Sequence, residues 1–318
     1  DIICLIKGLG FFVYNDSEDE FNPINTDFAS HIKDYSVSDS DRMLFLLNNG
    51  NTVHLTYNLL VNGGKQSDLR TVDIQTPVDK IFLSKDRFIL NKDNKLFLLN
   101  PDFTVSQCIE LDSNKPVSQV ILAENKMYIS FIEGGCIHYD LKKNTFTYLN
   151  ELSSQLSVFT LYSGSQNILW IGTDGQGVYM YYNDTFSITN TLLDTPVYQI
   201  SNPVRALYYD QEQTLWIGTK GSGILRIKKY TPDNSMPMSS DRITPYNSAL
   251  ADNSVYCFAP GYKDKLWIGT ENGINYYSYL SRQLKELPII ANGEKVKYVM
   301  KKGFAVIERM IRPYGYLR

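Results

Sequence analysis

The sequence predicts an all-β protein, a seven-bladed β-propeller built from four-stranded antiparallel blades. First, the segment LWIGT occurs three times, at residues 169–173, 215–219 and 266–270. Second, a short glycine-containing turn and another apolar run follow each copy, which is the pattern of a β-hairpin. Third, no part of the repeating unit shows the 3.6-residue hydrophobic period of an amphipathic helix.

Weaker copies of the unit precede the three strong ones. The residues that we align at the tryptophan position, here called markers, are Ile3, Phe45, Phe88, Tyr128, Trp170, Trp216 and Trp267. Successive markers lie 40 to 51 residues apart, which is the length of one blade. Short apolar runs before the marker and after the hairpin give four strands per unit. These runs are nearly continuous, which indicates sheets covered on both faces by neighbouring blades.

The chain ends predict how the ring closes. The first unit begins at its second strand and lacks an innermost strand. The apolar run at 296–300 has no full blade behind it, so the simplest closure places it in the first blade and removes open sheet edges. Another candidate strand at 303–307 would compete with residues 2–6 or begin a following module. We therefore assign residues 1–292 to the blades and 293–318 to a closing strand or a following module.

Composition argues against several kinds of partner. The net charge is −3, which provides no electrostatic footprint for nucleic acid. No stretch approaches the ~20 apolar residues that a membrane-spanning helix needs. Potential metal-binding or redox residues are few: Cys4, Cys108, Cys136, Cys257, His31, His54 and His138. None has metal-ligand spacing. We expect the cysteines to be small buried residues, with one disulfide as an open alternative, and the histidines to lie at the surface or at strand edges.

The sequence contains no pattern that points to catalysis. A G-x-S-x-G nucleophile turn is absent, and no pair of carboxylates stands out as general acid and base. The glycine clusters at 172–177 and 218–223 superficially suggest nucleotide loops, but no helix follows them and they recur in successive units, as hairpin turns do. We predict a protein that is not an enzyme and needs no cofactor. Convergence of carboxylates from distant blades leaves a polysaccharide lyase or hydrolase open as an alternative.

Candidate ligand-binding residues cluster at one mouth of the predicted ring, where hairpin turns meet the loops that lead into the innermost strands. The turns contribute Asp174, Lys220 and Glu271, and the approaches to inner strands contribute Tyr198, Arg205, Asn253 and Tyr256. Arg205 is a charge inside an otherwise apolar strand, and its guanidinium suits a carboxylate or sulfate on a ligand. The alternatives are a partnered structural arginine or a solvated channel residue. We expect the marker tryptophans to pack between blades and not to stack on sugar.

The LWIGT unit with its glycine turn, together with the lead-in Asn253-Ser254-Val255, resembles the two-component regulator propeller repeat. The resemblance is strong over residues 157–290 and loose over 2–149, where Ile, Phe and Tyr replace the marker tryptophan. This repeat fills the periplasmic sensor regions of hybrid two-component regulators in Bacteroidetes. In that family a β-sandwich module, a membrane helix and a histidine kinase follow the propellers, and this sequence contains none of the three.

The resemblance implies a ligand-sensing propeller in the periplasm, the ectodomain of an inner-membrane protein. It further implies recognition of oligosaccharide and signalling, through a homodimer or a downstream sensor module, to a kinase outside this chain. Two other functions stay open: a scaffold propeller that binds another protein, and the polysaccharide-cleaving enzyme mentioned above. No nucleic acid partner is expected.

Overall fold

Seven four-stranded antiparallel sheets form the protein in its computed structural model, so the predicted seven-bladed β-propeller is confirmed. The innermost strands of the seven sheets contact one another in a closed cycle, which makes the arrangement a ring. The structure describes residues 2–6, 9–38, 40–74, 76–150, 152, 154–163, 168–182, 185–187, 200–228, 239–261, 264–287, 290–291, 294–295 and 305–306.

The strands of each blade follow in order from the axis outward. The first blade contains β30 (Ala305–Val306), β1 (Ile2–Ile6), β2 (Gly10–Asn15) and β3 (Glu20–Ile24). The second contains β4 (Ile32–Val37), β5 (Arg42–Leu47), β6 (Thr52–Thr56) and β7 (Arg70–Thr71). The third contains β8 (Lys80–Ser84), β9 (Arg87–Lys92), β10 (Lys95–Leu99) and β11 (Val105–Glu110). The fourth contains β12 (Val117–Ala123), β13 (Lys126–Phe131), β14 (Cys136–Asp140) and β15 (Thr145–Tyr148).

The three blades with the LWIGT segment follow the same plan. The fifth contains β16 (Val158–Ser163), β17 (Ile168–Thr173), β18 (Val178–Tyr182) and β19 (Thr185–Ser187). The sixth contains β20 (Val204–Tyr209), β21 (Leu215–Thr219), β22 (Ile224–Lys228) and β23 (Ser239–Ile243). The seventh contains β24 (Val255–Pro260), β25 (Lys265–Thr270), β26 (Gly273–Ser278) and β27 (Gln283–Leu287). A hairpin of β28 (Ile290–Ala291) and β29 (Glu294–Lys295), helix α1 (Tyr57–Val61) and 3-10 turns at Ala29–His31 and Gln66–Asp68 complete the described elements.

A strand near the C-terminus completes the first blade. Strand β30 pairs antiparallel with β1, with Ile2 opposite Val306 and Ile3 opposite Ala305. The segment that we expected to compete with β1 therefore pairs with it and supplies the missing innermost strand. Residues 296–300, which we had assigned to this role, lie outside the described residues. Closure by strand pairing leaves the first blade without an open inner edge at β1.

The core consists of apolar layers between successive blades. The marker tryptophans are buried, at 0 to 2% exposure, and each packs against a tyrosine of the following blade. The pairs and their ring-centre distances are Trp170–Tyr209 at 6.2 Å, Trp216–Tyr277 at 5.0 Å and Trp267–Tyr14 at 4.8 Å. The last pair joins the seventh blade to the first. The predicted packing role of the tryptophans is confirmed, and the ring is closed by side chains as well as by strands.

Two of the seven markers are displaced by one residue. Leu44 lies in the core between the second and third blades, whereas Phe45 packs backward on Phe11 of the first blade at 5.8 Å. In the third blade, Ile89 faces forward and Phe88 faces backward. The equivalents of Trp170 are therefore Leu44 and Ile89. Because side chains alternate along a strand, a shift of one residue exchanges the two faces, and here both faces are apolar.

Two further expectations are wrong. Cys108 is exposed, because it lies on the outermost strand β11, which has no neighbouring strand outside it. His138 is buried, because β14 lies inside its blade, and its ring packs on Tyr128 with ring centres 5.8 Å apart. All four cysteines are free, which removes the open alternative of a disulfide.

The glycine of the LWIGT segment allows adjacent blades to approach. A Cβ atom on Gly172 would lie 2.7 Å from Cγ1 of Val204, and one on Gly218 would lie 2.8 Å from Cγ1 of Val255. Both valines begin the inner strand of the next blade. The motif therefore encodes a contact between blades: the tryptophan fills the layer and the glycine leaves room for the next inner strand.

We expect the substitution Gly218→Ala to destabilise the fold. Alanine in a strand normally gains about 0.5–1 kcal/mol over glycine, but overpacking costs about 1–3 kcal/mol, and the new methyl group would also meet Cβ of Ala206 at 3.1 Å. Urea unfolding should show the net loss. A double-mutant cycle with Val255→Ala provides the control. Additive losses in that cycle would contradict the proposed contact.

Candidate functional site

Bulges in the inner strands mark one end of the ring. In five of the seven blades the described pairing of the inner strand with the second strand shifts by one residue, and each of these shifts leaves an extra residue next to the first residue of the inner strand. These bulge residues are Lys33, Ser118, Phe159, Arg205 and Tyr256. A β-bulge redirects a side chain, and bulges are frequent beside functional sites. The bulge therefore takes each of these side chains out of the regular alternation of its strand.

Backbone hydrogen bonds join the hairpin turns to the beginnings of the inner strands. The amide of Asp174 donates to the carbonyl oxygen of Ser157 at 3.0 Å. The equivalent amides of Lys220 and Glu271 donate to the residues before β20 and β24, each at 2.9 Å. The predicted turn residues and the predicted approach residues therefore meet at the same end of the ring, which we call the mouth.

The glycine clusters are hairpin turns, as predicted. Gly221 and Gly223 have φ values of +99° and +70°, which L-residues rarely adopt. The hydroxyl of Thr219 closes the turn by donating to the carbonyl oxygen of Gly223 at 2.8 Å. Both glycine amides donate to the carbonyl oxygen of Asn253, at 3.1 and 2.8 Å. The turn of the sixth blade is thereby fixed to the loop that leads into the seventh.

Arg205 lies over an aromatic ring from the preceding blade. Its Cζ atom is 3.6 Å from the ring centre of Phe159, a cation–π distance. Its Nε atom is buried and has no hydrogen-bond partner among the described residues. Burial lowers the pKa of Arg205, and the negative charge of Asp174 partly offsets this shift. The guanidinium remains charged at physiological pH, because an arginine pKa lies far above neutrality.

Tyr256 occupies the equivalent bulge of the seventh blade. Its hydroxyl donates to Oε2 of Glu271 at 3.3 Å. Burial, and then the charge of Glu271, raises the pKa of Tyr256, whereas the charge of Arg205 opposes that shift. Tyr256 is therefore a neutral hydrogen-bond donor beside a carboxylate, and its ring offers a second aromatic surface.

The structure thus brings four of the predicted site residues together with one that the prediction missed. We call Phe159, Asp174, Arg205, Tyr256 and Glu271 the mouth cluster. Lys220 and Asn253 are exposed on the adjacent turn and loop, where the main chain of Asn253 holds the turn. Tyr198 lies outside the described residues. Phe159 was detectable from sequence, because it follows the first valine of its unit as Arg205 and Tyr256 do.

The mouth cluster combines aromatic faces, a cation and carboxylates at the end of a rigid scaffold. Such a set can bind a ligand with both apolar faces and several hydrogen-bonding groups. No group of three or more His, Cys, Asp or Glu residues suitable for a metal ion occurs in the described part of the chain. Among the same residues, no helix is long and apolar enough to cross a membrane.

Two segments of the chain match the two component regulator propeller family, at residues 198–221 and 249–272. The first runs to the glycine turn of the sixth blade, and the second covers the corresponding part of the seventh. Together they contain every predicted site residue except Asp174. No curated protein matches the chain.

Several solved structures share the fold. The extracellular domain of a one-component system from B. thetaiotaomicron aligns over 91% of this chain with 19% identity and a TM-score of 0.48, and the chain spans 46% of that domain. Virginiamycin B lyase from Staphylococcus aureus, a catalytically inactive variant with quinupristin, aligns over 85% of this chain and 90% of its own, with 14% identity and a TM-score of 0.60. The Cps50 (Swd1) propeller domain of Myceliophteria thermophila covers 84% and 88%, with 12% identity and a TM-score of 0.59.

The likenesses with TM-scores of 0.60 and 0.59 show the fold, and the family model identifies the repeat in the sixth and seventh blades. The repeat is associated with regulators, whereas the lyase shares only the fold at its low identity. The chain is therefore a seven-bladed β-propeller that contains the two component regulator propeller repeat in its sixth and seventh blades.

Proposed function

We propose that this propeller is the ligand-sensing part of a periplasmic signalling ectodomain and that it binds an oligosaccharide at the mouth cluster without turning it over. The observation that carries the proposal is the placement of Phe159, Arg205 and Tyr256 on equivalent bulges of three consecutive blades. The aromatic faces of Phe159 and Tyr256 suit the C–H faces of sugar rings. The carboxylates of Asp174 and Glu271 are acceptors for sugar hydroxyl groups.

The signalling role rests on the regulator repeat in the sixth and seventh blades. A ligand changes the output of such a protein only through its different affinities for two arrangements of the molecule. Ligands that bridge blades are suited to this task, because they bind best at one relative position of the blades. We propose that the bias passes, through a homodimer or a downstream module, to a kinase outside this chain.

Calorimetric titration and thermal-shift measurements against a panel of neutral and acidic oligosaccharides test the function. We expect one saccharide class to raise the melting temperature as its concentration increases, and chromatography of the incubated saccharide to show no shorter products. Depolymerised product would instead establish a polysaccharide-cleaving enzyme. Stabilisation by a partner protein alone would establish a scaffold.

We expect Phe159→Ala to weaken binding of the stabilising saccharide at least about tenfold, because truncation of a central aromatic anchor removes more than ~1.4 kcal/mol. The substitution also removes the ring on which Arg205 rests. Tyr148→Ala is the matched control, since Tyr148 is an exposed aromatic residue on the outermost strand of the fourth blade. Equal affinities of the two variants would place the ligand elsewhere on the molecule.

A further inference from the structure

We infer that the ligand of the mouth cluster is an acidic saccharide, whose carboxylate or sulfate oxyanion binds Arg205. The inference rests on the proposed saccharide-binding function and specifies its ligand. Three observations support it: Arg205 lacks hydrogen-bond partners among the described residues, its guanidinium lies over the ring of Phe159, and carboxylates surround it.

Arg205 differs from every other described arginine. Six others form hydrogen bonds to side chains or to carbonyl oxygens: Arg42, Arg70, Arg87, Arg226, Arg242 and Arg282. The strongest pairs are bidentate or buried, as between Arg226 and Asp241. Arg205 makes no hydrogen bond and no ion pair with any described residue, although its Nε atom is buried. A partly buried guanidinium without hydrogen-bond partners has lost hydration that no described residue replaces.

Phe159 sets the orientation in which this missing partner must approach. A guanidinium stacked 3.6 Å above a ring has one face covered, so its N–H groups point outward in the plane. The N–H groups of Arg205 then form a planar fork, which matches two oxygens of a carboxylate or a sulfate. A neutral hydroxyl group satisfies only one of these donors, and its hydrogen bond is roughly half as strong.

The charges next to Arg205 limit the ligand to few anionic groups. Asp174, Glu271 and Asp252 act electrostatically on Arg205 or on Tyr256 beside it, and Lys220 is the cation on the adjacent turn. A densely sulfated polymer would be repelled by three carboxylates. A saccharide with one acidic group fits: its oxyanion binds Arg205, and its hydroxyl groups donate to the carboxylates.

Calorimetric titration of the purified chain with matched pairs tests this inference. Oligomers of galacturonate, glucuronate and mannuronate are each compared with their methyl esters, which lack the charge but keep the ring. Galacto-oligosaccharides with and without a single sulfate ester form the second arm. We expect an acidic member of one arm to bind at least about tenfold more tightly than its neutral counterpart, and the responding arm identifies the oxyanion.

Substitutions assign this preference to Arg205. Arg205→Gln should weaken the acidic saccharide about tenfold to a hundredfold and leave its neutral counterpart unchanged. Arg205→Lys, which keeps the charge but loses the planar fork, should recover only part of the loss. Arg70→Gln removes one positive charge from the exposed outer strand of the second blade and is the matched control. Thermal unfolding checks that each variant is folded. If Arg205→Gln fails to fold, the unsubstituted chain provides the test, because added salt should weaken its binding of the acidic saccharide but not of the neutral one.

The outcomes separate the inference from the proposed function. Equal affinity for acidic and neutral counterparts, or an acidic preference that survives in Arg205→Gln, overturns the acidic ligand and leaves saccharide sensing intact. Failure of every saccharide to bind overturns both.

Discussion

Replacing Asp210 with alanine is expected to lower the free energy of unfolding by about 3–5 kcal/mol. This carboxylate is 5% exposed and accepts three hydrogen bonds. Oδ2 accepts from the indole Nε1 of Trp216 at 2.8 Å, and Oδ1 accepts from the amides of Glu212 and Thr214 at 2.9 and 2.8 Å. Removing the acceptor leaves buried donors without partners, at about 1–3 kcal/mol each.

Denaturant unfolding measures this loss, and two other substitutions separate its causes. Asp210→Asn keeps one carbonyl oxygen as an acceptor and should lose less. Asp102→Ala is the matched control, because Asp102 caps a comparable turn by accepting from Thr104 at 3.0 Å but is exposed. We expect Asp102→Ala to have a much smaller effect. Similar losses in Asp210→Ala and Asp102→Ala would show that the bond to Trp216 contributes little to stability.

The fold was predictable from three short motifs because the layers between blades accept few residue types at these positions. Each LWIGT copy places a large residue in the layer between blades and a glycine where the next inner strand passes. Trp216 and Gly218 have few substitutes in those roles, so the pattern repeats in recognisable form. Turn glycines such as Gly223 recur for a similar reason, since positive φ excludes most side chains.

The first blades were harder to align because their layers need only an apolar side chain. Leu44 and Phe45 are both fully buried, one on each face of the same strand. Hydrophobicity does not distinguish the two faces when both are covered. The number of blades was therefore predictable, whereas the face of the marker in the second and third blades was not.

The candidate site was predictable in its location and only partly in its members. Turn chemistry placed Asp174 and Glu271 correctly at the end of each second strand, and the charge inside an apolar run singled out Arg205. Phe159 was missed because an aromatic residue in a strand normally indicates core. Its role depends on a bulge, which changes register without leaving a characteristic residue type. That Arg205 has no hydrogen-bond partner in the described part of the chain is a property of the folded ring that sequence does not reveal.

Removal of β30 is the second change for which we expect a large effect. Deleting residues 303–318 takes away the only described partner on the inner side of β1, and β30 also contacts the inner strands of both neighbouring blades, β24 and β4. We expect a loss on the order of 3–5 kcal/mol in the free energy of unfolding. We also expect self-association through the exposed edge of β1.

Deletion of residues 307–318 is the matched control for this truncation, because it keeps Ala305 and Val306. Thermal unfolding gives the stability of both truncated chains, and sedimentation velocity gives their association state. The chain with the shorter deletion should have the same association state as the full chain and nearly the same melting temperature. If both deletions behave alike, the pairing of Ile2 and Ile3 with β30 does not hold the ring together. Closure would then depend on the layer in which Trp267 packs against Tyr14.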